Sequence, residues 1–408
     1  MLASLSNIMH HRAVFGTMLM TILVLQITAQ TCEVTNANLT EILEDHNLPA
    51  LGASYDDGIS GYKQAQIGAH KIGTDIAARS SDMWHLGSNT KAMVAMAIGL
   101  MVQDGRLNWN TPLEEVLDSK STGIVLSKGN ANITVRLLSS HTAGLSDSEI
   151  FEDTERWLSM YNVSAAAGRL QYGSLSLSSS PSHPQGVYEY ANMNYVILGL
   201  IIDVVAGVPV ETHMQSRLFG PLNMTSAGWG PLPEVFRTSA RNPYPHFANG
   251  TLGLAGPPIP YPAEQPFYGR DYPPFFHTAG MAHMTLEDYN KWLRLHVNKD
   301  VQMSLNVSQQ TLAMLHRANP ETNKSSEGFG YTYGAWIRSN FSESDGYLLV
   351  HDGSNLLNYI TAAVDTARNV TVVATTNVGG VPVNGAAWIA GIKLVGNGLL
   401  TGDLGIRC

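Results

Sequence analysis

The chain has 408 residues, 44% of them apolar and 14% charged, and a formal net charge of −9. That is enough apolar material for one large core or two modest ones. The acidic balance and the lack of any Lys/Arg block argue against nucleic acid as a partner.

In chain order, residues 1–30 have the makeup of a secretory signal. His10, His11 and Arg12 precede the apolar stretch Ala13 to Leu25, and Ile27-Thr28-Ala29 follows. Cleavage after Ala29 or Gln30 is expected, with a secreted mature chain that no longer meets the membrane. Sequons of the form Asn-x-Ser/Thr begin at Asn38, Asn132, Asn162, Asn223, Asn249, Asn306, Asn323, Asn340 and Asn369, which suits that route. The two cysteines, Cys32 and Cys408, sit at the two ends of the mature chain. In an oxidising compartment they could pair, a closure of about 5–6 kcal/mol in the chain-entropy picture.

Leu39, Ile42 and Leu43 have helical spacing, so a helix is expected over Asn38 to His46. Leu51 to Ile72 alternates and breaks at Asp57-Gly58 and Gly68, which predicts two or three antiparallel strands. Next comes Trp84-His85-Leu86-Gly87-Ser88-Asn89-Thr90-Lys91, leading into an apolar run from Ala92 to Val102. The run is apolar on every face, so it reads as a buried helix closed by Asp104-Gly105. Ser88 and Lys91 would then share one helix face, and an amine there is placed to take a serine proton. Free backbone N–H groups at the helix start could hold an oxyanion. A helix-capping serine with a lysine in the first turn would look the same, so the meaning of Ser-x-x-Lys depends on its company.

Residues 106 to about 320 read as helical and loop-rich, with a short helix at Asn110 to Glu114 and apolar helices at Asn194 to Val205 and Val210 to Leu218. Arg241 to Phe276, rich in proline and aromatics, is expected to be an ordered excursion without regular structure and a wall of a cleft. Strands return at Tyr331 to Arg338, Tyr347 to His351, Tyr359 to Asp365 and Val370 to Thr376. An apolar helix over Ala386 to Leu400 closes the chain. Strands and helix at both ends, with helices between, suggest one sheet built from both termini.

Three further stretches carry chemistry. Tyr188-Glu189-Tyr190-Ala191-Asn192-Met193-Asn194-Tyr195 puts Tyr190 two residues before Asn192, ahead of an apolar helix. A phenol near a lysine could share acid–base work, and the amide could hold a substrate carbonyl or Lys91. His351-Asp352-Gly353-Ser354-Asn355 ends a strand, with a glycine that lets backbone approach a ligand closely. Leu137-Leu138-Ser139-Ser140-His141-Thr142-Ala143-Gly144-Leu145 offers His141, although a histidine in such a loop is more often structural.

This ordered set resembles the serine β-lactamase and penicillin-binding-protein superfamily, especially its class C-like and esterase-like branch. Gln103-Asp104-Gly105-Arg106-Leu107, Leu222-Asn223-Met224-Thr225 and Thr278-Ala279-Gly280-Met281 add to the likeness, which spans Leu51 to Ile389. The resemblance implies an α+β chain of the β-lactamase/D,D-peptidase-like fold. A five-stranded antiparallel sheet flanked by helices (31–105 and 321–408) would stand beside a mainly helical domain (106–320), with the site between them. It also implies that Ser88 is the nucleophile, Lys91 the base or proton relay, and Tyr190 the second acid–base group. Asn192, His351, Gly353 and Ser354 would meet substrate, and the backbone N–H groups of Ser88 and Ser354 would form the oxyanion hole. No metal or cofactor is implied. For Lys91 to act as a base near neutrality its pKa must fall by about three pH units, a differential interaction of roughly 4 kcal/mol.

Two positions depart from the family's pattern. Ala191 stands where many relatives carry serine. His351 replaces a lysine that meets the substrate carboxylate in true β-lactamases. With an ordinary histidine pKa, raised if anything by Asp352, His351 would become cationic below about pH 6 and favour carboxylate-bearing substrates there. The expected protein is a secreted serine hydrolase that cleaves an ester or amide of a small molecule or peptide through an acyl-enzyme on Ser88. The alternatives are an acyltransferase using the same acyl-enzyme, a true β-lactamase or D,D-peptidase, and a catalytically dead binding protein. The sequence leaves the oligomeric state open.

Overall fold

The computed structural model describes residues 36–148, 152–232, 242–249, 254–258, 271–322, 329–339, 346–379 and 396. The expected signal segment, Cys32, Cys408 and the closing helix expected over Ala386 to Leu400 lie outside these, apart from the single helical residue 396. The chain opens with α1 (Asn36–Asp45), β1 (Ala50–Asp56), β2 (Lys63–Gly68) and β3 (Met83–His85), followed by helix α2 (Thr90–Gln103). Two longer helices of the middle section are α3 (Ala165–Ser178) and α4 (Asn192–Ala206). Short strands β4 (Gly228–Trp229), β5 (His246–Asn249), β6 (Leu254–Pro258) and β7 (Ala282–Thr285) precede helices α5 (Leu286–Arg294) and α6 (Gln309–His316). The described chain ends in β8 (Phe329–Tyr331), β9 (Ile337–Ser339), β10 (Leu348–Ser354), β11 (Tyr359–Asp365), β12 (Val370–Thr376) and β13 (Val378–Gly379).

Both ends of the chain build one antiparallel sheet in the order β2-β1-β12-β11-β10-β9-β8. The closing strand β12 pairs with β1 from Leu51↔Thr376 to Asp56↔Thr371. Five strands were implied and the sheet has seven among the described residues; one of the two extra arises because the single strand expected over Tyr331 to Arg338 is a hairpin. Thr332 Oγ1 accepts the N–H groups of Gly334 (3.2 Å) and Trp336 (3.0 Å), and Ala335 adopts φ +59°. The chain therefore turns back on itself at a residue whose type gives no turn signal.

The excursion after Arg241 also departs from expectation, since it carries regular structure. β5 and β6 form a hairpin, and β5 pairs in parallel with β13. The prolines of β6 are tolerated because it is an edge strand.

The main core runs between the sheet and the helices, and a second one packs Leu39 and Ile42 of α1 against β1 and β12. Helix α2 is buried on every face from Thr90 to Met101, so it is a central rod of the molecule. It ends as expected, with Gly105 at φ +71°. Helix α4 packs beside it and is buried from Met193 to Ile202, ending at Gly207 in the left-handed region. The starts of these two buried helices meet, and the site is built where they do.

Candidate active site

Ser88 sits in a 3-10 turn, Gly87–Asn89, immediately before α2. Its side chain is half-buried, whereas Lys91 is fully buried. Lys91 Nζ lies 3.1 Å from Ser88 Oγ, 2.8 Å from Asn192 Oδ1 and 2.5 Å from the Ala279 carbonyl. The last two atoms can only accept. A neutral lysine amine spends its two N–H bonds on them and turns its lone pair toward the Ser88 hydroxyl. Burial lowers the Lys91 pKa to about 7, against an opposing pull from the Asp147 carboxylate.

Tyr190 completes this group. Its hydroxyl hydrogen-bonds Ser88, and Lys91 Nζ lies 4.9 Å from its ring centre. Burial pushes the phenol far up, so it stays protonated across the neutral range. The arrangement can therefore hold a proton on Tyr190 while Lys91 takes one from Ser88.

His351 lies behind the serine turn, and its environment overturns the expected pH switch. Its Nδ1 lies 3.0 Å from Asn89 Oδ1 and 2.7 Å from the Asp352 carbonyl; its Nε2 lies 3.3 Å from the Tyr331 hydroxyl. Burial first, and the nearby Lys91 second, lower its pKa to about 4, outweighing the upward pull of Asp352. His351 is neutral at pH 6 as well as at pH 8.

Gly353 and Ser354 are pressed against the serine turn. A side chain on Gly353 would lie 2.0 Å from the Leu86 carbonyl, and one on Gly87 (φ +49°) would lie 2.2 Å from the Ser354 nitrogen. The Ser354 hydroxyl is committed to the β10–β11 turn, where it donates to the Asn358 carbonyl (2.9 Å) and accepts from the Leu356 N–H (3.1 Å). Gly87→Ala is expected to add about 1–2 kcal/mol of backbone strain before any clash. It should push the turn off β10, lowering the melting temperature and slowing any covalent labelling of Ser88. Wild-type behaviour in thermal melts and labelling assays would refute this close packing.

His141 is near the chemistry but serves packing. Its Nδ1 accepts from the Ala191 N–H (3.3 Å) and lies 3.2 Å from Asn194 Nδ2, and its ring lies 4.2 Å from that of Tyr190. It holds the Tyr190 segment from behind, in the left-handed backbone region (φ +56°).

Sequence reasoning missed two acids. Asp147 accepts from the backbone N–H groups of Asn192 (3.0 Å) and Met193 (2.9 Å) and from Asn192 Nδ2 (2.8 Å). It lies two residues past the His141 loop, where a lone aspartate gave no signal. Asp271 stands at the end of the proline-rich excursion, with Oδ2 2.8 Å from His85 Nε2 and Oδ1 3.2 Å from Asn355 Nδ2. His85 Nδ1 accepts the Gly87 N–H at 3.1 Å, which leaves its proton on the nitrogen facing Asp271. Burial pushes the Asp271 carboxyl up, but the His85 contact and the hydrogen bonds from Asn355 and the Tyr272 N–H leave it lowered. The excursion, the serine turn and the β10–β11 turn are tied together at this pair. Among the described residues, no group of three His, Cys, Asp or Glu side chains could hold a metal ion.

The Beta-lactamase family model matches residues 39–396. In sequence, the chain is 24% identical over 266 residues to the Unguisins hydrolase ungD' of Aspergillus campestris, covering 62% of this chain and 44% of that protein. The chain spans about half the length of such sequence relatives. Its fold is similar to that of the D-amino acid amidase from Ochrobactrum anthropi (TM-score 0.68, 19% identity, 92% of this chain and 100% of the other). It is also similar to the octameric penicillin-binding protein homologue from Pyrococcus abyssi (TM-score 0.67, 20% identity, 91% and 77%).

Proposed function

The chain belongs to the Beta-lactamase family, and we propose that it is a serine hydrolase that cleaves an ester or amide through an acyl-enzyme on Ser88. The observation that carries this reading is the lysine amine 3.1 Å from Ser88 Oγ, with its other two partners both pure acceptors. In the proposed reaction neutral Lys91 takes the Ser88 proton as Oγ adds to the substrate carbonyl carbon. Backbone N–H groups of Ser88 and Ser354 would receive the oxyanion. As the tetrahedral intermediate collapses, the leaving group takes a proton supplied through Tyr190 and Lys91, and the acyl group stays on Oγ. Water, deprotonated by the same pair, then releases the acid. The test is covalent labelling with a fluorophosphonate, peptide mapping of the modified residue, and turnover of a panel of esters, amides and β-lactams. A label on another serine would sink the assignment.

Neutral substrates suit the site better than carboxylates. His351 occupies the place of the family's lysine and is neutral, so a charge-assisted hydrogen bond is missing. Such a bond is typically worth about 1.5–3 kcal/mol, or roughly ten- to a hundredfold in kcat/KM. A neutral short-chain ester should outperform a chromogenic cephalosporin by at least that factor at both pH 6 and pH 8. His351→Lys should narrow the gap. Efficient cephalosporin hydrolysis by the native protein would overturn the argument.

We also read the protein as secreted and glycosylated. Asn132, Asn162, Asn223 and Asn306 are exposed and open to modification. Asn369 is a poorer acceptor, because its side-chain oxygen already accepts from Arg294 at 2.9 Å.

A further inference from the structure

Ala191, the residue at the N-cap of α4, has no side-chain acceptor for the helix's first N–H groups. Asp147 supplies one from another segment, accepting from the N–H groups of Asn192 and Met193. The same carboxylate accepts from Asn192 Nδ2 at 2.8 Å, on the far side of the amide whose Oδ1 accepts from Lys91. A carboxylate cannot donate, so Asp147 fixes which way that amide points. In the flipped amide an NH2 group would face the lysine ammonium and an oxygen would face the carboxylate.

From this chain of contacts we infer that Asp147 is a positioning residue of the Ser88 site. Through Asn192 it orients the amide that faces Lys91 and governs how readily Lys91 exists as a free base. The inference rests on the acyl-enzyme reading above. Besides its acceptors Asn192 and Ala279, the groups around Lys91 are Ser88, Tyr190, Tyr195, His141, His351 and Asp147. Burial keeps both tyrosines protonated and both histidines neutral near pH 7. That leaves Asp147 as the charged group acting on Lys91 among the described residues: burial raises its own pKa, the hydrogen bonds from Asn192 and Met193 oppose that rise, and the carboxylate raises the lysine's proton affinity. The carboxylate thus holds Lys91 near neutrality, where burial alone would carry it lower.

The experiment is the pH profile of kcat/KM for a neutral ester, together with the pH titration of Lys91 by NMR of lysine-labelled protein. Both are measured on wild type, Asp147→Asn, Asp147→Ser (a shorter neutral side chain) and Asp147→Glu. Removing the charge should move the acidic limb and the Lys91 titration to lower pH by about one unit or more. The plateau kcat should drop and KM should stay within about twofold, while Asp147→Glu keeps the limb near its native position. A folded Asp147→Asn or Asp147→Ser protein with the native limb and native Lys91 titration overturns the proposal. Loss of folding in both neutral variants overturns it too, by assigning Asp147 to structure alone. If wild-type Ser88 takes the fluorophosphonate label and the limb does not move, only this inference fails. If Ser88 is never labelled, the acyl-enzyme reading fails first.

Discussion

Ser88→Ala is expected to abolish fluorophosphonate labelling and to lower turnover by about 10⁴-fold or more, the scale seen when a covalent nucleophile is removed. Of the serines described, it has an amine at 3.1 Å and a phenol in hydrogen-bond contact, and its side chain is partly open to solvent. The substitution deletes one half-buried oxygen and leaves the glycine contact between the serine turn and β10 untouched. Stability should therefore stay within about 1 kcal/mol of wild type, as thermal denaturation would show. A variant that unfolds, or one that keeps its activity, would remove Ser88 from the role assigned to it.

Replacing Lys91 by Met or Tyr190 by Phe should each cost about 10²–10⁴ in kcat/KM, the range typical of general acid–base groups. The double variant should be little worse than either single one, because the two handle one proton between them. Strictly additive losses would point to separate roles. The pH dependence follows from the buried lysine. Its pKa is lowered to about 7, so the free base exists above that pH and is lost below it. Activity should climb through pH 7 and fall on the acid side, with no contribution there from His351, which titrates near 4. Tyr190, pushed up by burial, should not limit the rate on the alkaline side until well above its ordinary range. Lys91→Met should also lower stability by about 1–3 kcal/mol, since the Ala279 carbonyl and the Asn192 amide oxygen would lose a buried donor.

The two buried helices and the strands β10 to β12 were legible because each is set by local periodicity: apolar on every face for α2 and α4, and short apolar runs bounded by turn residues for the strands. The motif residues were legible too, since Ser88 and Lys91 lie within one helical turn and Tyr190 lies two residues from Asn192. The sequence did not reveal that β8 and β9 form a hairpin. That turn depends on one threonine side chain and an alanine in the left-handed region, and neither residue type announces it. It did not reveal the partners Asp147 and Asp271 either, because single acids in loops look alike until the chain closes around them. The sign of the shift at His351 was misread for the same reason. Asp352 is its neighbour in sequence, but the burial and the Lys91 charge that outweigh it come from folding. Ser88 and Lys91 were recognisable as a pair from their spacing, yet the amine's basicity was decided by residues far along the chain. Its fixed acceptors are Asn192 and Ala279, 101 and 188 positions away, and the core around α2 that excludes water is assembled from distant helices, α4 and α6 among them. Local spacing can name an acid or a base. Only solvent exclusion, a property of the closed structure, decides where it titrates.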